Sequence, residues 1–436
     1  MLERRIRIDV LLVLVVALLA PRAQAVTTFP GQNGLLSDVR EEEWARLMRD
    51  PVRHLIAARV AFLKGESGQA ADQIRVAAAY VRLRADAAVL PEGRQTLWNA
   101  FLRLEALAYR VRDREIREVV DLDQAFSRVS LAFVRRALLR VERDLDLGQK
   151  RDAGVNLLSA AFHLEQADAW NLIEADEAHR GALSTARRLG GSLIEGGTVP
   201  KAETREVLDA LGAQIATISQ AVSRSSPESE PRLSSSSPGE AATGATTQEV
   251  WSRLSVEFLG HGHQAREWLQ IGEVDLALEE LHHLASLLLL ERTRATNDEE
   301  HALLEAARAR LWGPVEPGED RSPPTVRRLC TDLARAEVAL SRFHRRLARD
   351  AWVAGDQRTA GFLLRSAASH LSSAGGWIPS RSNEGPDSGI PPGFIARSLI
   401  EGSPLSQQQV DRCLAELERR ISELGAAVGA WSESGR

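Results

Sequence analysis

The chain has 436 residues, with 55 Lys and Arg against 60 Asp and Glu, which gives a formal net charge of −5 at pH 7. This mildly acidic balance argues against a nucleic-acid partner, because such a partner requires a basic surface. Aromatic residues make up 5% of the chain, and alanine and leucine dominate, as in helical bundles. The composition therefore predicts an all-α protein.

The N-terminus predicts a cleaved secretory signal peptide over residues 1–25. Three arginines lie among the first seven residues, an unbroken apolar run extends from Val10 to Ala20, and Ala23–Ala25 supplies the small residues of a cleavage site. The apolar run is too short to span a bilayer. We expect the mature protein to be periplasmic or secreted, with no stable membrane insertion once the signal is removed.

The chain resembles itself at an offset of 207 positions. Residues 44–170 align without a gap with residues 251–377, which predicts a tandem duplication. The predicted fold class is all-α, with two tandem homologous antiparallel helical-bundle domains built from αα-hairpins. The predicted parts are a signal peptide (1–25), helical domain 1 (26–222), a Ser/Pro/Gly-rich linker (223–247) and helical domain 2 (248–436).

Apolar residues recur at helical spacing over most of the chain. In the first half, this spacing predicts helices over 40–64, 67–86, 92–112, 122–146, 149–170, 173–190 and 201–223. In the second half, it predicts helices over 248–271, 274–296, 297–312, 325–353, 356–373, 393–401 and 406–431.

A smaller motif occurs twice in each half, at a spacing of 83 residues. Its glycines are Gly65, Gly148, Gly272 and Gly355, each flanked by alanines and larger apolar residues at helical spacing. Glycine suits the left-handed residue that ends a helix, and alanine lets two antiparallel helices approach closely. Each copy is therefore predicted to be an αα-hairpin.

Two families share parts of this motif. The pattern Gly-x4-Ala-x6-Ala, as at Gly355, Ala360 and Ala367, resembles the turn and second helix of a tetratricopeptide repeat. The segment Ala58–Gly65, within an exported alanine-rich helical unit, resembles the YfdX family of bacterial periplasmic helical proteins associated with stress. This second resemblance implies a duplicated, stress-related protein, and it carries over no active-site residues.

Five histidines of the second half form a candidate metal site for Zn or Cu: His261, His263, His283, His344 and His370. Residues equidistant from the turn of an antiparallel hairpin face each other, and His261 and His283 each lie 11 residues from Gly272. Facing histidines in a bundle core can ligate a metal. The alternative interpretation is that these are helix-packing histidines, each satisfied by a backbone or carboxylate partner.

The two halves differ in these histidines. The first half keeps His54 and His163, but it has Val76 at the position equivalent to His283. A multi-histidine site is therefore expected in the second half alone.

Other residues suggest structure more than chemistry. The duplicated tryptophans, Trp44 with Trp251 and Trp170 with Trp377, are predicted to fill the core. Pairing of the two cysteines, Cys330 and Cys413, is left open, because the equivalent positions in the first half are not cysteines.

No short catalytic motif occurs in the chain: there is no nucleophile elbow, P-loop, dinucleotide fingerprint or Cys-x-x-Cys. We therefore expect a non-enzymatic binding or scaffold protein of the bacterial cell envelope, with a protein partner there, no catalytic residues and no cofactor. The alternative is a helical bundle that binds a metal or cofactor through its histidines. A hydrolase or lyase without a recognisable motif is a third hypothesis, and no feature of the sequence specifies an oligomeric state.

Overall fold

The computed structural model of the chain describes residue 36 and residues 39–171, 176–225, 247–312, 324–378 and 391–433. The predicted signal peptide and residues 226–246 of the predicted linker lie outside this range. Apart from isolated turns, the secondary structure of the described residues is α-helical, without any strand. The prediction of an all-α helical bundle is confirmed.

The helices fall into two halves on either side of residues 226–246. The first half contains α1 (Glu41–Leu47), α2 (Asp50–Leu63), α3 (Ser67–Asp86), α4 (Pro91–Arg112), α5 (Val119–Asp146), α6 (Lys150–Asn171), α7 (Glu177–Ile194) and α8 (Lys201–Ser225). The second half contains α9 (Thr247–Ile271), α10 (Val274–Arg292), α11 (Asp298–Trp312), α12 (Val326–Val353), α13 (Gln357–Trp377), α14 (Pro392–Ile400) and α15 (Gln407–Glu433).

The four predicted hairpins turn at the four predicted glycines. Gly65, Gly148, Gly272 and Gly355 have φ values between +74° and +86°, a region that other residues enter only at a cost. In each turn, the residue after the glycine donates its backbone N–H to the carbonyl five positions earlier, as Glu273 does to Trp268 at 2.9 Å. This hydrogen bond is the Schellman motif, and it directs the next helix back along the one before.

The first helix differs from its prediction. The spacing predicts one helix over 40–64, but the structure divides it into α1 and α2 at Met48 and Arg49. Pro51 lies in the first turn of α2. Proline lacks an N–H and clashes with the carbonyl four residues earlier, so the helix must restart there. In the second half, α9 passes the equivalent position without a break.

The two halves repeat the same packing. In both, the second hairpin (α5–α6 or α12–α13) packs on the first hairpin of its half and on the helix that follows it, α7 or α14. A Cβ added at Gly154 would lie 2.6 Å from the Gly190 carbonyl oxygen, and one added at Gly361 would lie 2.8 Å from the Ala396 carbonyl oxygen. Because these close helix approaches lie at equivalent positions, they support the proposed duplication.

The hydrophobic core is continuous across the two halves. A central cluster joins residues of α1–α6 to residues of α9–α13, and it includes the four duplicated tryptophans, all buried as predicted. Each half also has a peripheral cluster of its own, between α5 and α8 in the first and between α12 and α15 in the second. Across the two halves, α3 packs against α9 and α1 against α10, and polar side chains of α2 reach both helices of the α9–α10 hairpin. The domain boundaries stay a prediction.

Two other features bear on the sequence analysis. Cys330 and Cys413 are buried and free, so they do not form a disulfide with each other. Among the described helices, none carries an apolar stretch long enough to cross a membrane.

Candidate metal centre

A cluster of three buried side chains lies where α2 meets the α9–α10 hairpin. Its members are Asp50 from the first turn of α2, His261 from α9 and His283 from α10. The rings of His261 and His283 stack with centroids 5.1 Å apart and planes 8° from parallel. This stacking is the facing arrangement expected of two histidines equidistant from Gly272.

The ligand-type atoms of the cluster are close to one another. The His283 Nδ1–H donates to Asp50 Oδ2 at 3.2 Å, and His261 Nε2 lies 3.7 Å from the same oxygen. One such atom from each of the three residues lies within 4.8 Å of the others. Two imidazoles and one carboxylate form a donor set that zinc accepts, with a fourth position left for water.

A carboxylate outside the cluster orients one of the rings. The Nδ1–H of His261 donates to Glu280 Oε2 at 2.6 Å, and Arg53 donates to the other oxygen of Glu280 at 2.8 Å. With its proton on Nδ1, the neutral His261 ring carries its lone pair on Nε2, which points toward Asp50. Histidines that ligate a metal almost always donate their other ring N–H to a carboxylate, a backbone carbonyl or water, and Glu280 provides such a partner for His261.

Two buried polar atoms at this point lack a hydrogen bond. They are Asp50 Oδ1 and His261 Nε2, and both residues are at most 5% exposed. An unpaired buried polar atom costs about 1–3 kcal/mol. The folded chain thus bears an unfavourable term that a ligand between these atoms would remove.

The electrostatics of the cluster favour the charged forms of both Asp50 and His283. Burial alone raises the pKa of Asp50, but the hydrogen bond and positive charge of His283 outweigh it and lower the pKa below its ordinary value. Burial lowers the pKa of His283, but the hydrogen bond to Asp50 and the negative charges of Asp50 and Glu280 outweigh it and raise the pKa. Asp50 and His283 thus stabilise each other's charged form, and Arg53 lies 3.7 Å from the other oxygen of Asp50.

The predicted histidines do not form one site. His344 and His370 form a separate buried pair between α12 and α13, with ring centroids 5.1 Å apart. The ring of His370 donates to Glu337, and His344 Nε2 lies 3.3 Å from Glu291 Oε1. Burial lowers the pKa of His344 to about 4, although Glu291 opposes this. His344 is therefore neutral at pH 7.

The fifth candidate, His263, lies outside both groups. It is exposed, and its ring packs on Trp377 with centroids 4.6 Å apart. In the first half, His163 is buried and stacks on Phe133 at 4.6 Å. Burial, with the nearby charges of Arg49 and Arg136, lowers the pKa of His163 to about 3. His163 is a neutral core residue.

Asp50 was not among the predicted site residues, although the sequence contains a signal that points to it. The 207-residue offset pairs Asp50 with Glu257, so both halves have an acidic residue four positions before an equivalent histidine. The structure shows what Glu257 does: its carboxylate lies 2.8 Å from the Nε2 of His54. His54 also lies 2.8 Å, through Nδ1, from the side-chain oxygen of Gln73.

Comparison of the chain with protein-family models, with curated proteins and with solved structures gives no match in any of the three.

Proposed function

We propose that this protein is a non-enzymatic, exported helical protein of the bacterial cell envelope that binds one zinc ion at Asp50, His261 and His283. The observation that carries the proposal is the convergence of these ligands on a point where buried polar atoms lack hydrogen bonds. Zinc would bind the lone pair of His261, displace to solvent the proton that His283 shares with Asp50, and balance the charge of Asp50.

The donor set suits zinc and disfavours metals that require mostly oxygen or thiolate ligands. Imidazole nitrogens suit Zn and Cu, whereas Mg and Ca require mostly oxygen ligands. The soft thiolate that favours Cu(I) is absent from the three-residue cluster. Glu280 adds the outer carboxylate that keeps His261 in the ligating tautomer.

The remaining parts of the proposal come from the sequence. The signal-like residues 1–25 support export, and the lack of a short catalytic motif supports a binding role. A protein partner in the cell envelope and a stress-related role stay predictions, as does the resemblance to the YfdX family.

The test is the metal content of residues 26–436, purified without a histidine tag, measured by elemental mass spectrometry and followed by zinc titration. We expect one zinc per chain. The substitution His283→Val introduces the residue that the first half has at this position, Val76, and should weaken zinc binding by more than the roughly 10- to 100-fold typical of outer-shell changes.

The matched control is His263→Ile, which also introduces the first-half residue, at an exposed position two residues from His261. It should leave zinc affinity unchanged. A protein that takes up no zinc, or one that loses zinc equally in both variants, would contradict the proposal.

A further inference from the structure

Polar contacts join the first half to the second around the candidate metal centre. Four of them link α1 or α2 to α9 or α10. These four are Arg53 with Glu280 at 2.8 Å, His54 with Glu257 at 2.8 Å, Glu43 with Ser286 at 2.6 Å and Asp50 with His283 at 3.2 Å. The candidate metal ligands therefore belong to an interface and come from both of its sides.

This interface is reciprocal under the 207-residue offset. His54 in the first half corresponds to His261 in the second, and Asp50 in the first half corresponds to Glu257 in the second. The His54–Glu257 contact and the His261–Asp50 contact are therefore equivalent, with the two halves exchanged. A contact that occurs twice, with the roles of the partners exchanged, is characteristic of a two-fold dimer interface. The two halves therefore pack against each other as two subunits of a dimer do.

The third ligand breaks this reciprocity. His283 completes the cluster on one side, whereas the equivalent position on the other side is Val76. The interface thus offers one three-ligand site, which needs Asp50 from the first half and two histidines from the second.

We propose that zinc at this site fastens the two halves together, an inference that rests on the proposed function above. Separation of the halves removes Asp50 from the two histidines and destroys the site. A ligand that binds the joined state alone shifts the equilibrium by the factor 1 + [Zn]/Kd. Zinc at a hundred times its Kd therefore favours the joined halves about 100-fold.

The experiment uses the full chain with a protease site placed within residues 226–246. After cleavage, the second half is held on a surface through a C-terminal tag without histidines. Release of the first half is then measured in dilute urea, with zinc chloride or with a chelator. We expect zinc to lower the released fraction relative to the bound fraction by about 100-fold at a hundred times Kd.

Two variants separate the metal from the rest of the interface. His283→Val removes a ligand, so zinc should no longer affect release. Glu257→Gln weakens a contact across the same interface but removes no ligand, so release should rise overall while the effect of zinc persists. An equal effect of zinc on the wild type and on His283→Val would overturn the proposal.

The outcome also separates this inference from the proposed function. If the wild type takes up one zinc but release is unchanged, zinc binds without fastening the halves, and only the inference fails. If no zinc is taken up, both fail.

Hydrogen–deuterium exchange of the uncut chain gives a second test that does not depend on cleavage. Fastening requires zinc to slow exchange in α2 as well as in the α9–α10 hairpin. Slower exchange in the hairpin alone would overturn the proposal.

Discussion

Replacing Glu280 with glutamine removes the charge behind His261 while keeping the size of the side chain. Glutamine is compatible with this position of the fold, because Gln73 occupies the equivalent position in the first half and bonds to His54. In the wild type, the Glu280 carboxylate accepts from His261 Nδ1 at 2.6 Å and is held by Arg53 at 2.8 Å. The negative charge makes the opposite nitrogen of His261 a better donor to a metal.

The size of the effect follows from the role of Glu280 as an outer partner. Loss of a carboxylate behind a metal-bound histidine typically lowers metal affinity about 10- to 100-fold, which corresponds to about 1.4–2.8 kcal/mol. Since the amide oxygen of glutamine still accepts the Nδ1–H, the fall should lie near the lower limit. All three proposed ligands remain in place, so the stoichiometry should stay at one zinc per chain.

The assay is a competition titration of zinc against a chromophoric chelator at pH 7. The matched control is Glu257→Gln, which neutralises a carboxylate bonded to His54 in the same interface. It should change zinc affinity less than Glu280→Gln does. Equal affinities for the wild type and Glu280→Gln would show that His261 is not a metal ligand oriented by Glu280.

Three further outcomes follow from the structure. Val76→His supplies the missing third ligand beside His54 and Glu257, so elemental analysis should find two zinc ions per chain, and a count of one would contradict the reciprocal interface. Burial lowers the pKa of His163 from 6.5 to about 3, so as the pH falls the unfolded chain binds a proton at His163 before the folded chain does. The free energy of unfolding should therefore fall by about 2 kcal/mol from pH 7 to pH 5 because of this residue. Urea titrations of His163→Leu should lack that part of the decline. Gly361→Ala places a Cβ 2.8 Å from the Ala396 carbonyl oxygen and should destabilise the fold by about 1–3 kcal/mol, whereas Gly376→Ala in the same helix, with open space around it, should not.

The sequence predicts what depends on neighbours along the chain. Apolar spacing and Gly272 together predict the α9–α10 hairpin and the facing of His261 and His283. The break between α1 and α2 was missed because the apolar spacing continues through it, although Pro51 gives a local reason for the break. The all-α class and the four hairpin turns could be predicted from residues that are close together in the sequence.

What the sequence could not predict depends on how the halves pack. Asp50 lies 233 residues before His283 in the chain, and no local pattern connects them. The five histidines were grouped because they share one half, but helix packing places His344 and His370 against Glu291 and Glu337 instead. Packing between helices, within a half and between the halves, determines which acidic residue contacts which histidine.

A reciprocal interface within one chain can be changed on one side alone, whereas the interface of a symmetric homodimer cannot. In a symmetric dimer of identical chains, each substitution appears on both sides, so a ligand gained at one point is gained at two. Here the paired positions differ: Asp50 corresponds to Glu257, and Val76 corresponds to His283. One side has a histidine bonded to a carboxylate across the interface, while the other has three ligand-type side chains. Covalent linkage of the halves thus allows the two sides of a reciprocal interface to differ in their chemistry.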